Sequence, residues 1–320
     1  MRVLVTGSSG HLGEALVRRL RERGDTAIGI DVLPSPFTDV VASIGDRDAV
    51  RRAIEGVEAV LHTATLHKPH VATHTRQQFV DTNTSGTLAL LEAAVHASVR
   101  AFVFTSTTST FGRALTVPPG EPAAWITESV VPLPKNIYGA TKCAAEDLCE
   151  LVHRDHGLPC IVLRTSRFFP EADDDPRQRE RFGSDNLKAN EFLYRRVELD
   201  DAAAAHLLAI ERAPALGFRK YIVSATTPFD RADAAELGRD AAAVIRRRFP
   251  DVDMRYGERG WTLPRALDRV YDNVRAREEL GWRPRFDFRC VLDRLRDGED
   301  VLGPLAAIVG AKGFHRSICR

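Results

Sequence analysis

Several things that would announce a function are scarce in this chain. Basic and acidic residues nearly cancel, 45 against 44, which argues against a nucleic-acid footprint or a polybasic membrane surface. Only 6 of the basic residues are lysine. The arginines that make up the rest are spread along the whole chain, so their excess reads as coding bias and carries no mechanism. The five cysteines, Cys143, Cys149, Cys160, Cys290 and Cys319, have neither CxxC spacing nor a matching cluster of ligands. A zinc site or a disulfide framework is therefore not expected, and free thiols in a reducing compartment are. No apolar run approaches the ~18 residues of a membrane span, and the first residues enter an apolar strand pattern with no leader-type apolar region. No internal repeat or low-complexity linker is visible. The expectation is a soluble, cytoplasmic protein without a membrane or nucleic-acid partner, and 320 residues at 44% hydrophobic content can bury the core of one large domain or two unequal lobes.

What is present begins with a pair. Tyr138 and Lys142 stand four apart in Tyr-Gly-Ala-Thr-Lys at a predicted helix start, which puts phenol and ammonium on one helix face. A lysine cation beside a phenol favours the phenolate, so the two together can exchange a proton with a substrate hydroxyl. An exposed helix pair is the competing reading, and the rest of the chain decides between them.

Residues 2–6 read as a buried strand and run into Gly7-Ser8-Ser9-Gly10-His11-Leu12-Gly13, followed by an amphipathic stretch that ends at Gly24. In this strand, glycine turn and helix, Gly7 permits the turn, Gly10 lets backbone approach a pyrophosphate, and Gly13 allows close helix–strand packing; the helix N-terminus attracts the phosphates. A second strand ends in Asp31, where a carboxylate can bind ribose hydroxyls and repel a 2′-phosphate, favouring NAD over NADP. Alternation continues with strands near residues 40–42, 59–63, 101–105 and 159–164, and with helices near 46–55 and 77–97. This pattern predicts a parallel sheet. The run Ser106-Thr107-Thr108-Ser109-Thr110 falls at a strand's C-terminal end, the edge where such sheets hold ligands. The stretch 112–134 is expected to be a Pro-rich loop.

Together these segments resemble the extended short-chain dehydrogenases/reductases of the NAD-dependent epimerase/dehydratase type, the group that includes the UDP-glucose 4-epimerases. The likeness rests on Val3 to Gly13, Asp31, the Asn83-Thr-Ser-Gly-Thr87 helix, the strand and loop from Phe104 to Gly112, Thr127-Glu128, Tyr138 to Lys142, Asp200-Asp201-Ala202, and Glu279-Leu-Gly-Trp-Arg-Pro284. The resemblance implies Tyr138 as general acid or base, Lys142 as the residue that binds the nicotinamide ribose and lowers the tyrosine's pKa, and Thr107 as hydrogen-bond partner of the reacting oxygen. It implies NAD on Gly7, Ser9, Gly10, His11, Leu12, Gly13 and Asp31, with Ser43 and Ile44 near the adenine and Thr63, Ala64 and Thr65 along ribose and phosphates. Asn83 and Thr105 complete that set. It also implies a homodimer through the helices that contain Asn83 and Tyr138.

Departures from the pattern bear on the substrate. Ser43 stands where an aspartate is usual. Arg167 replaces an asparagine that touches nucleotide sugars in the family, and a guanidinium fork suits a carboxylate or phosphate; its alternative is an ion pair with the acidic run Asp173-Asp174-Asp175. Only 29 residues separate Pro170 from Asp200, so the nucleotide-recognition lobe looks trimmed. Thr107-Thr108 occupies the place of a 4,6-dehydratase's Asp-Glu pair, which sets that chemistry aside and leaves Thr108 as a substrate contact. The loop with His67, Lys68, His70 and His74 has ligand-like spacing but no carboxylate partner, so no metal is expected, and Lys68 with a histidine is read as contacting an anionic or polyhydroxyl substrate.

The resulting expectation is an α/β fold, a Rossmann-type doubly wound parallel sheet with a smaller C-terminal substrate lobe. Residues 1–165 with 200–225 would form the NAD-binding domain, and 166–199 with 226–320 the lobe. The function expected is epimerisation of a sugar or nucleotide sugar by transient hydride transfer. One alternative is an NAD-dependent dehydrogenase of a smaller, uronate-like sugar; another is a non-catalytic NAD(H)-binding regulator, against which the intact Tyr138 and Lys142 argue.

Overall fold

A computed structural model of the chain describes residues 1–173 and 175–313; Asp174 and Cys319 lie outside the described residues. In chain order the strands are β1 (Arg2–Thr6), β2 (Thr26–Asp31), β3 (Val40–Val41), β4 (Ala59–His62), β5 (Ala101–Thr107), β6 (Ala124–Ile126), β7 (Cys160–Thr165), β8 (Phe218–Val223) and β9 (Arg269–Tyr271). Seven of them form one sheet in the order β3-β2-β1-β4-β5-β7-β8, and every pairing in it is parallel. The central strands β1, β4, β5 and β7 are largely apolar because the sheet is covered on both faces; every residue of β4 and β7 is buried.

The helices are α1 (His11–Glu22), α2 (Arg47–Ala53), α3 (Arg76–Phe79), α4 (Gly86–His96), α5 (Ile137–His156), α6 (Pro176–Arg181), α7 (Ser184–Glu191), α8 (Leu199–Leu216), α9 (Ala234–Arg248), α10 (Val252–Gly257), α11 (Phe288–Arg296) and α12 (Pro304–Val309). On one face of the sheet α1, α8 and α12 bury Leu16, Ala203 and Val309 against Val3, Val103 and Leu163. On the other, α2, α4 and α5 bury Val50, Leu91 and Cys149 against Leu4, Val60 and Phe102. A further apolar cluster joins α7, α9, α10 and α11 through Ala189, Leu237, Tyr256 and Phe288. Trp282 ties that region back to the sheet: its indole N–H donates to the Asp201 carbonyl at 3.0 Å, while the Asp201 carboxylate accepts the Arg285 and Phe286 N–H groups.

The structure departs from the sequence reading in three places. The expected loop 112–134 contains β6, which pairs in parallel with β9; three-residue strands are too short for a period-2 signal. The single helix expected near 77–97 is α3 and α4 joined by a π-helical turn, Val80–Ser85. And β5 runs on to Thr107, so the hydroxyl cluster starts inside the strand and does not merely follow it.

Candidate active site

The glycine turn after β1 is held by its own geometry. Gly7 has φ +71°, and a Cβ on Gly13 would stand 1.9 Å from the Gly7 carbonyl oxygen, so only glycine allows α1 to sit this close to β1. A Cβ on Gly10 would meet only the Gly7 oxygen, at 3.2 Å, and Gly10 faces the cleft as the N-cap of α1 with no side-chain cap. The first N–H groups of the helix are thus left for an external acceptor. Asp31, at the end of β2, accepts the Ser9 N–H at 3.0 Å and the Leu33 N–H at 2.9 Å and also faces the cleft.

The cleft holds about 900 Å³ and runs along the C-terminal ends of the strands. Most of the residues singled out in the sequence meet there. Ser9, His11, Leu12 and Gly13 lie on its wall with Gly7, Gly10 and Asp31; Ser43 and Ile44 line one end, and Thr63, Ala64, Thr65 and Thr105 its floor. Ser43 uses its hydroxyl to accept the Gly45 N–H at 3.1 Å. Thr107, Thr108, Tyr138, Lys68 and Arg167 line the other end. Asn83 and Lys142 are both buried just behind the wall. Asn83 accepts the Leu66 N–H at 2.8 Å and donates to the Thr141 hydroxyl at 3.1 Å, binding the segment after β4 to the helix of Tyr138.

That helix, α5, has Asn136 as its N-cap, whose side chain accepts the Gly139 N–H at 3.1 Å, so Tyr138 falls in the first turn and Lys142 in the second. Thr107 and Tyr138 both line the cleft; the Thr107 hydroxyl accepts the Ser109 N–H at 3.1 Å and favours the Tyr138 phenolate. Burial pushes the phenol up to about 12, and the Thr107 hydroxyl pulls the other way. Lys142 is driven down to about 7 by burial, opposed by Glu146 and Cys149; its ammonium rests 4.0 Å from the centre of the Phe104 ring.

Arg167 is spoken for by backbone: its guanidinium donates to the Glu171 and Ala172 carbonyls at 2.8 and 2.9 Å and lies 3.9 Å from the Glu191 carboxylate. The Asp173 carboxylate pairs instead with Arg195, at 2.9 Å. In the His67 loop the imidazoles stack edge to face, His67 on His70 at 4.6 Å and His70 on His74 at 4.9 Å. Among the described residues no group of three histidine, cysteine or acidic side chains is placed to hold a metal ion. Cys143, Cys149, Cys160 and Cys290 are free thiols.

Three features at the site had no sequence signal. Arg195, Arg269 and Tyr271 line the cleft from distant segments. Glu146 and Arg164 form a buried ion pair at 2.7 Å behind Thr107. Ala311, Lys312 and Gly313 cross the cleft wall: the Lys312 ammonium pairs with Glu14 at 2.5 Å, and Glu171, held by His11 at 2.9 Å, accepts the Lys312 and Gly313 N–H groups. His11 and these N–H bonds hold the Glu171 carboxyl down at about 2 against the effect of burial.

A parallel sheet of this strand order, with an uncapped helix N-terminus over a glycine turn and an acid at the second strand's end, defines a dinucleotide-binding protein. A sequence model of the NAD dependent epimerase/dehydratase family matches residues 3–217, and the chain belongs to that family. It is accordingly an NAD-dependent enzyme of the extended short-chain dehydrogenase/reductase type. A UDP-glucose 4-epimerase of Streptomyces lividans is 28% identical over 91% of this chain and 94% of its own. A 3-beta-hydroxysteroid dehydrogenase of Mycolicibacterium neoaurum is 26% identical over 89% and 87%. A crystal structure of a short-chain dehydrogenase/reductase superfamily protein from Agrobacterium tumefaciens with bound NAD superposes with a TM-score of 0.64 at 26% identity, covering 93% of this chain and 98% of that one. No helix among the described residues is long and apolar enough to cross a membrane.

Proposed function

We propose that this chain is an NAD-dependent epimerase of a sugar or nucleotide sugar, with Tyr138, Thr107 and Lys142 as its working residues. The observation that carries the reading is that Tyr138, from the first turn of α5, and Thr107, at the C-terminal end of β5, line the same cleft as the glycine turn. NAD, when bound, supplies the two-electron acceptor and donor. Gly7, Gly10, Gly13 and the first turn of α1 would hold its phosphates, and Asp31 its adenosine ribose; the bare backbone at Gly10 and the uncapped helix end fit that group. Everything else is proton work by the chain. Thr107 holds the substrate oxygen, and Tyr138 takes or returns the proton on it. Lys142 carries the positive charge that favours the phenolate, which a phenol at about 12 requires if it is to act as a base near neutrality. A homodimer through the helices carrying Asn83 and Tyr138 and a cytoplasmic location belong to the same reading, and sedimentation of the purified protein tests the dimer.

A second reading, a dehydrogenase acting on a smaller acidic sugar, is favoured by the basic residues Lys68, Arg167, Arg195 and Arg269 at the substrate end of the cleft, where a carboxylate would be recognised. One experiment separates the two. Purified protein with NAD is given free uronic acids, aldoses and nucleotide sugars, with nicotinamide absorbance followed and sugars recovered. Altered stereochemistry without net NADH supports the epimerase; NADH accumulating with one acidic sugar replaces it with the second reading.

A further inference from the structure

We propose that Glu146 is a positioning residue for this site: it locks the helix bearing Tyr138 and Lys142 onto the strand end bearing Thr107, and sets its negative charge beside the Lys142 ammonium. The inference rests on the Tyr138–Lys142–Thr107 reading and names a residue that reading does not include. Glu146 lies one turn beyond Lys142 on α5, and each is 2% exposed. One carboxylate oxygen accepts the hydroxyl of Ser106, the residue before Thr107, at 2.5 Å. Arg164, on the neighbouring strand β7, donates from Nε to both oxygens at 3.0 and 3.2 Å and from Nη2 at 2.7 Å. One carboxylate thus joins α5, which carries Tyr138, to β5, which carries Thr107, and to β7.

The geometry also explains how a lysine survives there. Its ammonium sits on an aromatic face in a site without solvent, and burial alone would leave it neutral. The charged and titratable groups around the pair are Tyr138, Cys143, Cys149 and Glu150 on α5, Arg164 from β7, Lys220 from β8, and His62 from β4. Lys220 reaches Glu146 at 4.0 Å and Glu150 at 3.0 Å. His62, which Lys142 itself helps to keep neutral, offers no negative charge. Glu146 and the Cys149 thiol are the groups that favour the cation, and Glu146 is the carboxylate among them.

The scarcity of lysine makes the test direct. Protein labelled with 13C-lysine gives six ε-carbon signals, and the one lost in Lys142→Arg is that of Lys142. In the unsubstituted protein it should titrate near about 7. Glu146→Gln keeps the shape and an acceptor for Ser106 but not the charge, and should lower that midpoint by roughly one pH unit; Glu146→Asp should restore most of it. Since Glu146→Gln strands Arg164 as a buried cation and can unfold the chain, Glu146→Gln/Arg164→Met removes both charges; loss of the Arg164 cation offsets part of the effect, so this variant should show a fall in the same direction but smaller. A Lys142 midpoint unmoved in the folded variants overturns the proposal. The two readings fail separately: full turnover in Tyr138→Phe overturns the active-site reading, whereas an inactive Tyr138→Phe with an unmoved Lys142 midpoint overturns the role of Glu146 alone.

Discussion

At the Asp31 end of the cleft the ligand-facing groups are backbone: a left-handed glycine, an uncapped helix start, and N–H groups anchored by one carboxylate. At the Arg167 end they are the tips of long side chains from four separate segments, several already engaged with carbonyls or carboxylates of the fold. Backbone geometry is specified by local sequence, because only glycine tolerates φ +71° or a 1.9 Å approach. The direction of a guanidinium is specified by whatever it meets after folding. In the proposed reading the first kind of site would bind the cofactor and the second would distinguish substrates.

The comparison can be broken where the two ends meet. Tyr138→Phe should reduce kcat by about 10²–10⁴-fold, the usual contribution of a positioned acid–base group, while NADH affinity by fluorescence titration stays within a few-fold; an equal loss in both would merge the ends. Under the cofactor end, His206 is buried between the Thr105 hydroxyl at 2.8 Å and the Ala202 carbonyl at 2.7 Å, and burial lowers it to about 4. The folded state refuses a proton that the unfolded chain accepts near pH 6.5, so the stabilisation is complete above 6.5 and is lost as pH falls toward 4. This amounts to something on the order of 3 kcal/mol. Melting temperatures across that window should therefore drop less steeply in His206→Gln.

Smaller effects sharpen the contrast. Gly13→Ala should cost about 1–3 kcal/mol of stability from the overpacked helix–strand contact and weaken NADH binding together with it, read by melting and titration. Asp31→Ala frees the Ser9 and Leu33 N–H groups and should reduce the preference for NAD over NADP by roughly tenfold, about 1.4 kcal/mol; an unchanged ratio removes Asp31 from cofactor choice. Arg167→Ala should move KM by only a few-fold with kcat preserved, since carbonyls already hold its guanidinium. A large fall in kcat would instead make Arg167 part of the chemistry.

The cofactor end was legible because its signal is local. Glycines at 7, 10 and 13, an acid at 31 and a Tyr/Lys pair at 138 and 142 each lie within a few residues of the backbone feature they serve. Nothing local showed that Arg164 meets Glu146, 18 positions away, or that Lys312 meets Glu14, 298 positions away. Arg167 illustrates the middle case. Its replacement of a family asparagine was visible, but its partners, two carbonyls and Glu191 and not the Asp173 carboxylate, depended on how residues 166–199 fold back.

The amino-acid sequence by itself determined the alternation of strand and helix, the glycine turn, the acid that supports it and the helix face shared by Tyr138 and Lys142, because periodicity and backbone sterics act over neighbouring residues. Tertiary structure alone decided that Thr107 and Tyr138 line one cleft, that Arg164 pairs with Glu146, that β6 finds β9, and that Lys312 returns to Glu14. Those contacts join segments far apart in the chain, and buried charges and hydroxyls take the partners that packing brings within reach once water is gone.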